Sequence, residues 1–173
     1  RAEGLPLMVH AAESPEEVAF LARGEGPLRE VYGRFAKTPW TPPGTTPVRH
    51  LHALGVLGPT TLLVHGVQVD EEEVGLLAET GTKVVLCPRS NANLEVGEAP
   101  LALYAKHGVE LALGTDSRGS SPDLDVKNEA RFLWGRAEPR LLVRALTRGG
   151  YRALGLPTPR LTRGTPLSLV HFL

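Results

Sequence analysis

Four short, largely apolar runs recur along the chain: Leu5 to Val9, Thr61 to Val64, Lys83 to Leu86 and Val109 to Leu113. They are continuous, not alternating, which is the pattern of parallel strands buried on both faces. Helix-start chemistry follows each one. Ser14-Pro15-Glu16-Glu17 reads as a capping box with Pro15 at the first helical position, and Gly24 and Gly26 stop that helix just after Arg23. Asp70-Glu71-Glu72-Glu73 repeats the device, and Gly81 closes it.

Between these units lies a proline-rich irregular stretch, 36–47, and then a short helix from Val48 to Leu54. Further helices are expected from Ala99 to His107, from Pro122-Asp123 to Trp134, and from Pro139 to Leu146. A tail strand is expected from Leu167 to Phe172. Four strand-helix units build either an open doubly wound sheet or a barrel. A complete barrel takes eight strands and roughly 250 residues, and this chain has 173.

Composition narrows the function classes. Lys plus Arg and Asp plus Glu are 19 each, with no block of like charge, so a nucleic-acid polyanion is not an expected partner. The lone Cys87 rules out an internal disulfide and a thiolate zinc cluster, and suits a small buried apolar role. No apolar stretch is long enough for a membrane span and no secretory pattern opens the chain, so a cytoplasmic protein is expected. Phosphate-loop and dinucleotide fingerprints are absent, as is the Cys-dependent pattern of the small zinc deaminases.

The candidate chemistry sits where the strands end. His10 closes the first strand, His65 the second, and Asp116 follows the fourth. In a parallel sheet all C-terminal strand ends share one rim, so the three converge despite their distance in sequence. Imidazole and carboxylate suit zinc, or iron and manganese where oxygen ligands are more numerous. Taken singly, each is equally a loop, core or cap residue. Glu13 is either a proton carrier beside His10 or a solvated carboxylate near a helix N-terminus. Arg89 and Asn91 follow the third strand, where they face substrate or serve as a surface Arg and a turn Asn. His50, His52, His107 and His171 read as structural or surface residues, and Ser14 and Asp70 as caps.

The segments His10-Ala11-Ala12-Glu13, Leu63-Val64-His65-Gly66, Leu86-Cys87-Pro88-Arg89-Ser90-Asn91 and Ala112-Leu113-Gly114-Thr115-Asp116-Ser117 occur in this order. Together they resemble the C-terminal half of an amidohydrolase-superfamily enzyme, in the cytosine deaminase, adenosylhomocysteine deaminase and chlorohydrolase branch. The resemblance implies a metal-dependent hydrolase (β/α)8 barrel, of which 1–156 would be strands five to eight, with 157–173 returning to a small β-sandwich. It implies His10 and Asp116 as ligands of a divalent metal, zinc foremost. Asp116 would also take a proton from the attacking water. His65 would contact that water, or bind a second metal in binuclear members. Glu13 would protonate a ring nitrogen and then the leaving amine. The implied reaction is deamination of an aminopurine- or aminopyrimidine-like heterocycle, with dechlorination as the sister reaction. The branch also carries a His-x-His pair on strand one; His50-Leu51-His52 has the spelling but lies in a helical stretch between strands five and six. The start at Arg1 is therefore expected to reflect truncation, with the other barrel half, or a self-association partner, completing the site. A non-catalytic α/β domain is the rival reading from a different class.

Overall fold

A computed structural model describes residues 5–36, 38–158 and 163. Four parallel strands lie side by side in chain order: β1 (Leu7–Ala11), β2 (Thr61–His65), β3 (Lys83–Leu86) and β4 (Leu111–Leu113). Helices fill every crossover: α1 (Pro15–Arg23), α2 (Pro27–Phe35) and α3 (Pro47–Ala53) after β1, α4 (Glu71–Thr80) after β2, and α5 (Pro88–Asn93) and α6 (Leu101–His107) after β3. After β4 come α7 (Val126–Phe132), α8 (Pro139–Arg144), a π-helical turn at Ala145–Gly149 and α9 (Gly150–Ala153).

The expected α/β class with parallel strands is present. Strand register pairs Ala11 with His65 and Leu86 with Leu113, so the strand ends form one rim. Side chains alternate between two layers. Leu63, Val84, Leu86, Leu111 and Leu113 join the main core with Val74, Leu77 and Tyr104 from the helices. Leu62 and Ala112 turn the other way and pack with Ala153. The expected burial on both faces holds for β2, where every residue is buried. It fails for β1, an edge strand where Leu7 and Met8 are exposed; the other edge, β4, is buried beneath the π-helical turn and α9.

Several boundaries differ from expectation for local physical reasons. Gly24 ends α1 in a left-handed conformation as expected, but Gly26 caps α2 and Pro27 is its first residue, which the reading of Gly26 as a stop concealed. Val109 belongs to the cap of α6, its N–H bonded to the Tyr104 carbonyl, so β4 begins later. Asp125 caps α7 by accepting from Lys127 N–H, while Asp123 is bonded elsewhere. The single expected helix over Pro139 to Leu146 runs on through the π-helical turn into α9. The tail strand, the sandwich and His171 lie outside the described residues.

Both expected caps form. Asp70 and Glu73 make a complete capping box on α4. Ser14 caps α1 through Glu17 N–H at 3.2 Å. The reciprocal half of that second box differs: the Glu17 carboxylate accepts from Ala12 and Glu13 N–H, not from Ser14.

Candidate active site at the strand ends

The rim brings together His10, His65 and Asp116, with one donor atom from each lying within 4.8 Å of the others. His10 is the penultimate residue of β1, and its ring lies 5.2 Å from the His65 ring, centroid to centroid. His10 Nε2 is 4.0 Å from Asp116 Oδ1. Glu13 joins them, with Oε1 3.6 Å from His65 Nε2.

Backbone geometry makes this convergence possible. Ala12, His65 and Asp116 all take positive φ, at 54°, 75° and 60°. Residues with a Cβ seldom occupy that region, and where they do the surrounding structure over-determines them. Here the clamps are visible. Ala12 C=O accepts from Val67 and Gln68 N–H, and Gly66 N–H donates to Ala11 C=O. Gly66 is itself left-handed, and a Cβ there would collide with the Tyr104 hydroxyl, which donates to Gly66 C=O at 2.5 Å.

His65 is 1% exposed, and its Nδ1 lies 2.8 Å from Asn91 Oδ1. A carbonyl oxygen only accepts, so Nδ1 carries the proton and Nε2 keeps its lone pair. That Nε2 is buried without a hydrogen-bond partner among the described residues. A buried orphan lone pair asks for a ligand, and one beside an imidazole and a carboxylate suits a divalent metal or an ordered water.

Asp116 is prepared similarly. Ser90 and Ser120 hydroxyls both donate to Oδ2, at 2.7 and 2.8 Å. The other oxygen, Oδ1, is the one that faces His10. Burial works to raise this carboxyl, but the two hydroxyls, the His65 ring and the Ser117 N–H outweigh it and hold it below the usual range.

Arg89 and Asn91 occupy the first turn of α5, and each has a side-chain partner within the protein. Arg89 forms a two-pronged ion pair with Asp123 at 2.8 and 2.9 Å, and its N–H donates to the buried Glu129. Asn91 is 2% exposed and committed to His65. Sequence reasoning gave no site role to Ser90, which lies in the Leu86–Asn91 segment, to Ser120, which lies just beyond Ser117, or to Glu17, which read as part of a capping box; nothing in the sequence pairs the two serines with Asp116. His50 and His52 lie on α3, outside the cluster. Cys87 is buried, and burial with the charges of Asp116 and Glu129 pushes its thiol up to about 12.

Known proteins resemble this chain in sequence and in fold. The profile of the amidohydrolase family matches residues 1–172. An aminodeoxyfutalosine deaminase of Deinococcus radiodurans is 43% identical, over 94% of this chain and 41% of its own length. A 5-methylthioadenosine/S-adenosylhomocysteine deaminase of Syntrophobacter fumaroxidans is 35% identical, over 88% and 33%. Among solved structures, a zinc-bound adenosine deaminase from Xanthomonas campestris superposes with a TM-score of 0.68 at 31% identity, covering 87% of this chain and 32% of that one. The chain thus spans about two fifths or less of the proteins it matches. With the family profile covering nearly every residue and the strand-end cluster in place, the chain belongs to the amidohydrolase family.

Proposed function

We propose that this chain carries the C-terminal half of a metal-dependent deaminase acting on an aminopurine- or aminopyrimidine-like ring, in the cytoplasm. The observation that carries the reading is the convergence of His10, His65 and Asp116 around the orphan Nε2 of His65. The deaminases named above support the choice of reaction. His10 and Asp116 would hold the metal, with zinc the first choice because a zinc-bound relative shares the fold. The exposed β1 edge supports a further barrel half, or a second copy, as the partner that completes the site.

When bound, the cation supplies Lewis acidity, which makes water a nucleophile at neutral pH. Asp116 accepts a proton from the attacking water while a C–O bond forms at the ring carbon. His65 Nε2 accepts a hydrogen bond from that water and orients it. Glu13, in its acid form, delivers its proton to the ring nitrogen; the carboxylate left behind then takes the hydroxyl proton of the tetrahedral species and passes it to the departing amine, so that the C–N bond breaks, a C=O bond forms and ammonia leaves, and the proton held by Asp116 returns Glu13 to its acid form. Arg89, held by its pair with Asp123, braces α5.

The test is ammonia release by the full-length gene product across a panel of aminopurine nucleosides and aminopyrimidines. Release from at least one, lost in Asp116→Ala, supports the reading. Chloride release from a chlorotriazine with no ammonia from the panel replaces the reaction while keeping the hydrolase site. Neither product from any compound leaves a non-catalytic domain and overturns the proposal.

A further inference from the structure

We propose that Glu17 is a positioning residue for Glu13, its carboxylate fixing the backbone from which the proton carrier reaches the site. This rests on the proton-transfer role given to Glu13 above.

The geometry is unusual for a capping box. Glu17 Oε1 accepts from Ala12 N–H at 3.1 Å, and Oε2 accepts from Glu13 N–H at 2.8 Å. An ordinary box would satisfy the N–H of the cap residue itself. Here both oxygens reach further back, to the two residues that join β1 to α1. One is Ala12, fully buried and left-handed at φ 54°. Its carbonyl is held from the opposite side by Val67 and Gln68 N–H, at 2.8 and 2.7 Å. The peptide is therefore gripped by α1 on one side and by the segment following His65 on the other. Glu13 takes its place relative to His65 from that double grip, and its Oε1 ends 3.6 Å from His65 Nε2. Burial raises the Glu17 carboxyl against the pull of its two N–H partners, so the group is held in the turn at some cost. A helix cap alone would not need it, because Ser14 already caps α1.

Glu17→Gln keeps the shape but leaves one acceptor where there were two, so one of the two N–H groups loses its partner. The experiment is a double-mutant cycle with Glu13→Gln in the full-length enzyme, read on the most active substrate. Glu17→Gln alone lowers kcat about 10- to 100-fold, the scale of a small misplacement of a catalytic group. KM changes less than about threefold, because ground-state binding is untouched. In the Glu13→Gln background the same substitution costs less than about twofold, because the two act through one group. Amide hydrogen exchange of the metal-free protein gives a readout apart from activity: Ala12 and Glu13 exchange faster in Glu17→Gln, while the last turn of α1 is unchanged. Should Glu17→Gln not fold, Glu17→Asp gives the same split between kcat and KM, its shorter carboxylate being unable to span both N–H groups. Multiplicative effects in the cycle, unchanged exchange, or wild-type kcat in Glu17→Asp would overturn the proposal alone. Full activity in Glu13→Gln overturns the proton-transfer reading, and this proposal with it.

Discussion

His65 at the end of β2 and Asn91 on α5 are joined: the ring Nδ1–H donates to the Asn91 side-chain carbonyl over 2.8 Å, and both residues are buried. The bond sets the tautomer and so decides which ring nitrogen faces the site. Asn91→Leu removes it while keeping the branched outline of the side chain. Groups that orient a site histidine from behind are worth about 10- to 100-fold in metal affinity or activity. A loss of that size in kcat/KM, with the far-UV spectrum retained, is the expected result. Wild-type kcat/KM in Asn91→Leu would show that the bond does not set the working geometry.

The Arg89–Asp123 pair makes a prediction about acid stability. Arg89, the Asp125 N–H and the Asn128 amide hold the Asp123 carboxyl below the usual carboxylate range, against a smaller opposing effect of burial. A depressed folded-state pKa contributes stability that is present above the unfolded carboxylate value, and that stability is lost as pH falls through the lower folded value. Arg89→Met therefore flattens the acid limb of the unfolding midpoint plotted against pH. An unchanged slope below the ordinary carboxylate range would contradict this.

Cys87 is 1% exposed, and its thiol is raised to about 12 by burial first and by the nearby Asp116 and Glu129 charges next. Thiolate, not thiol, reacts. At pH 8 the native protein resists alkylation, and labelling follows global unfolding in denaturant. Rapid stoichiometric labelling in the folded state would show that the strand end opens.

Gly149 lies in the π-helical turn that covers β4, and a Cβ there would fall inside the contact distance of the Leu111 carbonyl. Backbone cannot step aside as a side chain can. Gly149→Ala is expected to lower stability by about 1–3 kcal/mol, the usual cost of overpacking. Urea unfolding measures it, and an unchanged midpoint would contradict the close approach.

The strands and the rim were legible because uninterrupted apolar runs ending in His or followed by Asp carry their own signal. Gly26-Pro27 and the polar stretch Pro88–Asn93 carry the opposite signal, of breaks, yet each begins or forms a helix whose stability comes from tertiary contacts. Long-range pairing was the least legible part. Asn91 is 26 residues from His65, Ser90 is 26 from Asp116, and Arg89 is 34 from Asp123. A single sequence assigns no partner at such distances, so the pairing of Arg89 with Asp123 and of Asn91 with His65 was not legible.

On the proposed function, His10 on β1 and Asp116 after β4 hold a divalent metal. Elemental analysis of the purified full-length protein and of its His10→Ala/Asp116→Ala variant, at matched fold by circular dichroism, tests it most directly. Near-stoichiometric zinc, iron or manganese in the parent, lost in the variant, is the predicted result. Equal metal content in both proteins, or none in a catalytically competent parent, would contradict it.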